Sequence, residues 1–511
     1  MKTGSSVKQA NLKSERNAPL AMSGEEFRVL GHQMVDQIAA FLDGIRERPV
    51  TVASSPIALR QLLGSDELPV NGAKADELFT ETSRLLFENS LLNGHPRFWG
   101  YITSSAAPIG ALADLLASAV NPNVGAAVLS PVATEIEAQT VRWLADLIGY
   151  PRDCGGLLVS GGNMANFVAF LAATKAKASW DIKNDGTAAA ERRLVAYVST
   201  ETHIWIDKAA ELFGLGKSSI RQVPVDADQK MLVPALISAI ETDISNGLQP
   251  FMVVAAAGTV GTGAVDPLPA IKKVCERYGL WLHVDGAYGA PAAMLPDASE
   301  DLRGLNLADS VALDPHKWLY SPIEAGCTLV RDKRYLIDAF SHRPAYYNFN
   351  GDGENDPINF HEYGLQNSRG FRALKVWLAI KHVGREGYEK MIGDDIRLAT
   401  ELFQFVEAEP MLETGSHNLS ITTFRFVPKD LDSGTAEGSE YLNKLNTEIL
   451  NRIQKGGEVF VSNALIDGRY FLRACIVNFR TTTSDLEALV EIVVRIGKEV
   501  DAELRSATIA V

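Results

Sequence analysis

The chain has 511 residues, with 49 Lys and Arg against 63 Asp and Glu, so its formal net charge is 49 − 63 = −14 at pH 7. Because 46% of its residues are hydrophobic and 22% charged, the composition is that of a globular protein and excludes a largely disordered, collagen-like or coiled-coil chain. The acidic balance also disfavours a nucleic-acid partner, since Lys and Arg supply the affinity for phosphate backbones.

The N-terminal residues and the cysteines limit where the protein is expected to act. Residues 1–20 lack the apolar core of a secretory signal and are expected to form a disordered tail. No run of about 18 apolar residues predicts a membrane span, so no membrane partner is expected. The four cysteines lie far apart and form no CxxC pair. This pattern favours reduced thiols in a cytoplasmic protein and predicts neither a disulfide framework nor a bound metal.

Two helices are predicted near the N-terminus. The first begins after Ser23, a candidate N-cap with Glu26 three residues later, and apolar residues continue at helical spacing to position 42. The second is expected at 75–88. Both sequences are too polar to form a core of their own, so we expect them to lie against another surface of the chain or of a partner subunit.

Between about residues 151 and 320, short apolar runs alternate with amphipathic stretches of helical length. The runs predict strands at 157–160, 193–200, 251–259, 280–285 and 310–314. Such alternation is typical of a parallel sheet covered by helices on both faces. The segment 341–358, rich in Asn, Gly, Asp and Pro, is predicted to be a long functional loop. Strands at 421–428 and 470–479 and a helix at 485–504 predict a C-terminal α+β segment.

Ligands of open α/β sheets bind beyond the carboxyl ends of the strands, so the residues that follow each run are candidates for a site. Gly161, Gly162 and Asn163 follow the first run and precede a predicted helix. Glycines there allow backbone N–H groups to contact a phosphate, although a tight turn also needs glycine. His203 follows the second run and could stack on a planar ring or be an ordinary hydrogen-bonded histidine. Thr259 ends the third run with a small hydroxyl.

The last two runs end in charged residues. Asp285 ends the fourth, and its burial costs several kcal/mol unless it has a partner, which could be a structural ion pair or a protonated ring nitrogen. The fifth ends in Asp314, His316 and Lys317. A lone lysine is usually a solvated surface charge, but a desolvated amine is a nucleophile suited to carbonyl chemistry. Together these groups match the needs of a phosphorylated pyridine aldehyde and not those of metal chemistry.

With these motifs the chain resembles the pyridoxal-phosphate-dependent group II amino-acid decarboxylases, which include the aromatic-L-amino-acid, glutamate and cysteine-sulfinate decarboxylases. Matching stretches include HPRFWGY (95–101), SGGNMANFVAF (160–170), WLHVDGAYG (281–289) and DSVALDPHKW (309–318), and the resemblance extends over roughly residues 25–500. It implies an α/β fold of the aspartate-aminotransferase type (fold type I), with a mostly parallel central sheet. The implied parts are a tail at 1–20, an N-terminal helical arm for dimerisation at 21–105, a large cofactor domain at 106–385 and a small C-terminal α+β domain at 386–511.

The resemblance also implies roles for individual residues. Lys317 would bind the aldehyde of pyridoxal 5′-phosphate (PLP), Asp285 would pair with its ring nitrogen, and His203 would stack on the ring. The other implied cofactor contacts surround the phosphate and the ring face: Gly161, Gly162, Asn163, Thr259, Ala287, Asp314 and His316. The family more often has SGGTEAN or a Ser-rich version of this motif, so the side-chain part of the phosphate site differs here at Asn163 and Met164.

The implied activity is decarboxylation of an L-amino acid to the amine and CO2 by a homodimer. Tyr346, in the 341–358 loop, would reach across the interface and return a proton to the α-carbon, although the adjacent Tyr347 leaves the register open by one residue. The related alternative is an aldehyde synthase, which the resemblance links to phenylalanine in place of this tyrosine. The motifs disfavour an aminotransferase and a scaffold without activity.

The substrate is the least determined part of the prediction. Trp99, Tyr101 and Ile102 would form an apolar wall that favours an aromatic amino acid. Arg480 could bind a substrate carboxylate or brace a domain interface, and Arg97 also occurs in members that act on acidic substrates. Glutamate, aspartate and cysteine sulfinate are therefore the alternatives to an aromatic substrate.

Overall fold

The computed structural model describes residues 18–64, 67–342 and 357–509. The described residues divide into two compact units: the first comprises those up to Arg48 and those within Ser54–Ser90, and the second comprises Pro49–Ala53 and those from Leu91 onward. Among the described helices, none combines the length and the apolar character that a membrane crossing requires.

The first unit is helical, with α1 at Gly24–Asp43, α2 at Pro56–Leu63 and α3 at Ala75–Asn89. The predicted capping box of α1 is confirmed: Ser23 Oγ accepts from the Glu26 N–H at 3.2 Å, and the Glu26 carboxylate accepts from the Ser23 N–H at 2.7 Å. The rings of Phe41 and Phe87 stack at 4.3 Å and join α1 to α3. No residue of α1 or α2 is buried, in agreement with the polar character of their sequences.

The second unit contains a seven-stranded sheet with the order β1-β7-β6-β5-β4-β2-β3. Its strands are β1 Gly155–Val159, β2 Leu194–Ser199, β3 Ile220–Val223, β4 Gln249–Ala256, β5 Trp281–Asp285, β6 Ser310–Leu313 and β7 Gly326–Val330. Strand β7 is antiparallel to both of its neighbours, β1 and β6, and the other pairs are parallel. The mostly parallel sheet of the predicted fold class is confirmed, although β3 and β7 were not among the predicted strands.

Helices cover both faces of this sheet. They are α4 Pro108–Val120, α5 Pro131–Leu147, α6 Gly162–Lys177, α7 Ile182–Asp185, α8 Trp205–Leu212, α9 Val233–Ser245, α10 Leu268–Tyr278, α11 Glu300–Arg303 and α12 Arg334–Phe340. Strand β4 shows how the sequence produces two cores, since Met252 and Val254 belong to one apolar cluster and Val253 and Ala255 to the other. Successive side chains of a strand point to opposite faces, so a continuous apolar run fits a sheet that is buried on both sides.

The predicted C-terminal α+β segment is also confirmed. It comprises α13 Ala373–Ala408, β8 Leu412–Asn418, β9 Ile421–Phe426, α14 Ala436–Gly456, β10 Ser462–Ile466, β11 Arg469–Cys475 and α15 Thr483–Ile509. The four strands form an antiparallel sheet in the order β10-β11-β9-β8, with an apolar core of its own. Helix α13 is interrupted at Gly384, whose φ of 69° is in the left-handed region.

A buried ion pair fastens the end of β1. Arg369 Nη2 lies 2.5 Å from Glu137 Oε1, and the two side chains are 2% and 0% exposed. Arg369 also donates to the carbonyls of Val124 and Leu158, and the Glu137 carboxylate accepts from the Leu158 N–H at 2.9 Å. Since Leu158 precedes Gly161 by three residues, this pair holds the strand end from which the glycine turn starts.

Candidate active site

A cavity of about 360 Å³ lies where the predicted strands end. Most of the residues predicted for a site share its wall: Ile102, Gly161, Gly162, Asn163, His203, Thr259, Asp285, Ala287, Asp314, His316 and Lys317. They follow or end β1, β2, β4, β5 and β6, apart from Ile102. Among the strand-end residues, Gly161 and Lys317 lie 156 positions apart in the chain, and the structure brings them to one cavity as the strand-end argument predicts.

Lys317 lies in the turn after β6, beside a buried carboxylate. Its Nζ is 3.2 Å from Asp314 Oδ2, and the Asp314 side chain is 2% exposed. The next residue, Trp318, is anchored in the core, because its ring stacks on Tyr288 at 4.8 Å and its indole N–H donates to Asp395 at 2.9 Å. The contacts of Trp318 therefore fix the backbone next to Lys317 and position the lysine at the cavity.

Asp395, on α13, fastens this turn at a second point. The hydroxyl of Tyr320 donates to the same Asp395 oxygen that accepts from Trp318. Complete burial raises the pKa of Asp395 to about 7, and the two donors oppose that rise. The turn that carries Lys317 therefore depends on a carboxyl group that titrates near neutral pH.

Gly161 and Gly162 form the glycine turn at the start of α6, and a side chain at either position would occupy space beside the cavity. Gly161 has a φ of +115°, and a Cβ on Gly162 would lie 2.6 Å from Asp314 Oδ2. The first N–H groups of a helix such as α6 have no partner within the helix and attract an anion. Asp314 Oδ1 is buried and has no hydrogen-bond partner among the described residues. A glycine cradle, a buried acceptor and a lysine in one cavity fit a phosphorylated aldehyde cofactor.

Asp285 is held by neutral donors only. Its Oδ2 accepts from the Trp205 indole N–H at 2.7 Å and from the Asn166 amide at 3.2 Å, and its Oδ1 accepts from the Ala287 N–H at 3.2 Å. Within the described ranges no Lys or Arg forms an ion pair with it. The structural ion pair that the sequence left open is therefore absent there, and the carboxylate can accept a cation in the cavity.

His203 and Thr259 complete the wall. Burial lowers the pKa of His203, and the nearby Asp285 opposes the change. A neutral imidazole suits stacking on a planar ring. The Thr259 hydroxyl accepts from the Ala264 N–H at 3.1 Å and lies 3.0 Å from the Thr262 hydroxyl, so it also fixes its own turn.

Three predicted substrate residues lie away from the cavity wall. Trp99 is fully buried in the core of the small sheet, and its indole N–H donates to the Thr481 hydroxyl at 3.0 Å. This corrects the prediction for Trp99, because a ring that fills that core does not contact a ligand in the cavity. Tyr101 is 55% exposed, and the Arg480 guanidinium lies 4.6 Å from the ring of Phe479.

The remaining sequence candidates have different outcomes. Arg97 pairs with Asp485 at 3.1 Å, and neither residue lines the cavity. Tyr346 and Tyr347 lie outside the described residues, and the assignment of a loop proton donor stays a prediction.

Sequence reasoning missed several residues that the structure brings to the site. Asn166 and Trp205 hold Asp285, and Glu201 lines the cavity, where burial raises its pKa. Arg473, 2% exposed, donates to the Ser462 hydroxyl at 2.7 Å and to the carbonyl of Val260, which lines the cavity. Arg473 stands inside the apolar run of β11, and a charged residue in such a run could have indicated a buried polar role. The position of Asn166 one helical turn after Gly162 was a weaker signal.

Comparison with known proteins gives consistent matches over the chain. The family model described as "Pyridoxal-dependent decarboxylase conserved domain" matches residues 56–426. The aromatic-L-amino-acid decarboxylase of Bacillus atrophaeus is 34% identical over 482 residues, 94% of this chain and 97% of that protein. The structure of Oryza sativa TDC with PLP and tryptamine has a TM-score of 0.87 and 26% identity, covering 95% of this chain and 99% of that one. Mouse CSAD gives a TM-score of 0.87 and 26% identity, with 93% and 99% covered.

Proposed function

The chain belongs to the pyridoxal-dependent decarboxylase family and is a PLP-dependent amino-acid carboxy-lyase, and from this premise we propose that its substrate is an aromatic L-amino acid. The products would be the corresponding amine and CO2. The observation that carries the proposal is the presence of Lys317, Asp285 and the glycine turn in one cavity of a chain that is 34% identical to an aromatic-L-amino-acid decarboxylase.

The proposed roles of the chain's residues follow from their chemistry. When bound, PLP accepts the electron pair that remains at the α-carbon as CO2 leaves. Lys317 would attach the cofactor covalently, and Asp285 would hold a proton at the ring nitrogen. The N–H groups at Gly161 and Gly162 would bind the phosphate, and His203 would lie on the ring face.

The cavity wall supports an aromatic substrate over an acidic one. Ile102, Val260 and Ile323 contribute apolar surface, which suits the face of an aromatic ring. Glu201 and Glu324 line the same cavity, and Glu324 is paired with Arg372. The Glu201 carboxylate would repel the side chain of glutamate, aspartate or cysteine sulfinate. A phenol or indole could instead donate a hydrogen bond to such an oxygen.

We also propose that the protein acts as a cytoplasmic homodimer. Helix α4 exposes a row of apolar side chains, with Leu112, Leu115, Leu116 and Val120 each more than half exposed. Contiguous apolar surface of this kind favours an interface between subunits. The proposal includes a dimerisation arm within 21–105 and the donation of a proton by Tyr346 of one subunit in the site of the other.

A substrate panel tests the proposal. The purified protein with added PLP would be given tryptophan, tyrosine, DOPA, phenylalanine, glutamate, aspartate and cysteine sulfinate, with CO2 and amine measured for each. Release of CO2 and amine from aromatic amino acids alone supports the assignment, and release from the acidic ones alone overturns it. Aldehyde, ammonia and peroxide in place of the amine would identify an aldehyde synthase. The Lys317→Ala variant is the matched control for background release.

A further inference from the structure

A continuous line of hydrogen bonds leads through the protein interior to Asp285. The Trp281 indole N–H donates to the Ser310 hydroxyl at 2.8 Å, and this hydroxyl lies 2.8 Å from Nδ1 of His283. Nε2 of His283 lies 2.7 Å from the amide oxygen of Asn166, whose amide nitrogen donates to Asp285 Oδ2 at 3.2 Å. We call Trp281, Ser310, His283 and Asn166 the relay.

The sequence places the relay in a region without solvent. Trp281, His283 and Asp285 alternate along β5 and therefore share one face of the sheet. Ser310 is the register partner of His283 on β6, and Asn166 approaches from α6. The four relay residues are at most 2% exposed. Their polar groups are thus satisfied by one another, as buried polar groups must be.

The charge of Asp285 sets the direction of every bond in the relay. Because a carboxylate only accepts, Asn166 must turn its NH2 group toward Asp285 and its oxygen toward His283. Nε2 of His283 must then carry the proton, and Nδ1 must accept from the Ser310 hydroxyl. This requires a neutral imidazole, and burial lowers the pKa of His283 to about 4.

Two further donors complete the environment of the carboxylate. The Trp205 indole N–H shares Oδ2 with Asn166, and the backbone N–H of Ala287 contacts Oδ1. Oδ2 therefore has two side-chain donors, and Oδ1 keeps capacity for another. Since all of these donors are neutral, they orient Asp285 and leave its negative charge for a cation from the ligand.

We propose that the relay residues and Trp205 are positioning residues, which hold the Asp285 carboxylate in the orientation that pairs with the ring nitrogen of the cofactor. The inference rests on the proposed function, because it takes PLP as the ligand. An arginine or lysine in place of these neutral donors would compete with the ring nitrogen for the same charge.

The test measures binding of two cofactor forms to the cofactor-free protein. One is PLP, and the other is its 1-deaza analogue, in which a C–H replaces the ring nitrogen. We expect Asn166→Ala and Trp205→Phe to weaken PLP binding about tenfold, the effect of one hydrogen bond to a charged group. Binding of the analogue should stay within about twofold, because it offers Asp285 no proton. His283→Leu should behave like Asn166→Ala, whereas His283→Gln keeps an N–H donor and should retain most of the affinity.

The control is Thr174→Val, which removes a buried hydroxyl on the same helix at a residue that does not line the cavity. It should change neither affinity. Equal losses for PLP and the analogue would show a general structural defect and overturn the inference, as would unchanged PLP binding in the variants. If Asn166→Ala does not fold, the PLP affinity of Trp205→Phe tests the inference, because this variant keeps an aromatic ring in the core and loses only the N–H donor. A wild-type chain that binds no PLP refutes the proposed function together with the inference; a wild-type chain that binds PLP while the variants match it refutes the inference alone.

Discussion

Replacing Glu137 by Gln should destabilise the protein by roughly 3–5 kcal/mol, the cost of removing one member of a buried ion pair. The substitution keeps the size of the side chain and an acceptor for the Leu158 N–H, but removes the charge. Arg369 would then remain at 2% exposure with neutral acceptors only: the carbonyls of Val124 and Leu158 and the amide oxygen introduced by Glu137→Gln. The large magnitude follows from this burial, because water cannot replace the lost carboxylate.

Equilibrium urea denaturation of the cofactor-free protein, followed by circular dichroism, would measure the loss. Arg369→Met should be similarly destabilising, since it leaves Glu137 charged and buried. The double variant Glu137→Leu/Arg369→Met should lose less than either single variant, because it buries no unpaired charge. The exposed pair of Glu458 and Arg495, with side chains 52% and 49% exposed, provides the control, and Glu458→Gln should cost less than about 1 kcal/mol.

Two results would refute this reasoning. A loss below about 1 kcal/mol for Glu137→Gln would mean that the pair behaves like an exposed one. A double variant whose loss equals the sum of the two single losses would mean that the charges do not interact. If the reasoning holds, affinity for PLP should also fall in Glu137→Gln, because Leu158 lies three residues before Gly161 in the strand that leads to the glycine turn.

Three further predictions concern the site. Lys317→Ala should abolish the covalent attachment of PLP that borohydride fixes in the wild type, as mass spectrometry of the peptide would show. In aerated buffer, Tyr346→Phe should consume O2 and shift the product from amine to aldehyde, ammonia and peroxide, whereas Tyr347→Phe should not; an unchanged product from both would remove the loop tyrosines from the mechanism. Asp395, with its pKa raised from 3.8 to about 7, binds more protons folded than unfolded, so its contribution to stability falls as the pH rises from about 4 to 7 and is constant above that. The thermal midpoint of Asp395→Asn relative to the wild type should therefore rise across this window, and a constant difference would contradict the assignment.

The strand-end argument predicted much of the site because it depends on topology alone. Parallel strands deliver their carboxyl ends to one edge, so Gly161, His203, Asp285 and Lys317 could be placed together without any knowledge of distances. The same argument could not find β3, a four-residue strand with three partly exposed residues. It also missed β7, the strand at Gly326–Val330 that runs antiparallel to its neighbours.

Side chains that act through contacts between distant segments could not be predicted. Trp99 belongs to a motif that suggested a site, yet its indole bonds to a hydroxyl 382 positions away, and periodicity does not encode that packing. Trp205 is the converse case, an apolar-looking helix residue whose N–H reaches Asp285 at 2.7 Å. A tryptophan side chain can fill an apolar core or donate a hydrogen bond in a site. For Trp99 and Trp205, only the hydrogen-bond partner of the indole N–H distinguishes these two roles.

The charged side chains at the cavity wall bear on which amino acid we propose as the substrate, whereas the net charge of the whole chain does not. Of the carboxylates there, Asp314 lies 3.2 Å from the Nζ of Lys317, and Glu324 pairs with Arg372 at 2.9 Å. Asp285 and Glu201 have no cationic partner among the described residues, so each carboxylate can accept a positive group or a hydrogen-bond donor from a bound ligand. Under the proposed function, a protonated ring nitrogen would pair with Asp285. An acidic substrate side chain would place a like charge beside Glu201, whereas the O–H of a phenol or the N–H of an indole could donate to it. We therefore expect tyrosine, DOPA and tryptophan to be better substrates than phenylalanine or the acidic amino acids.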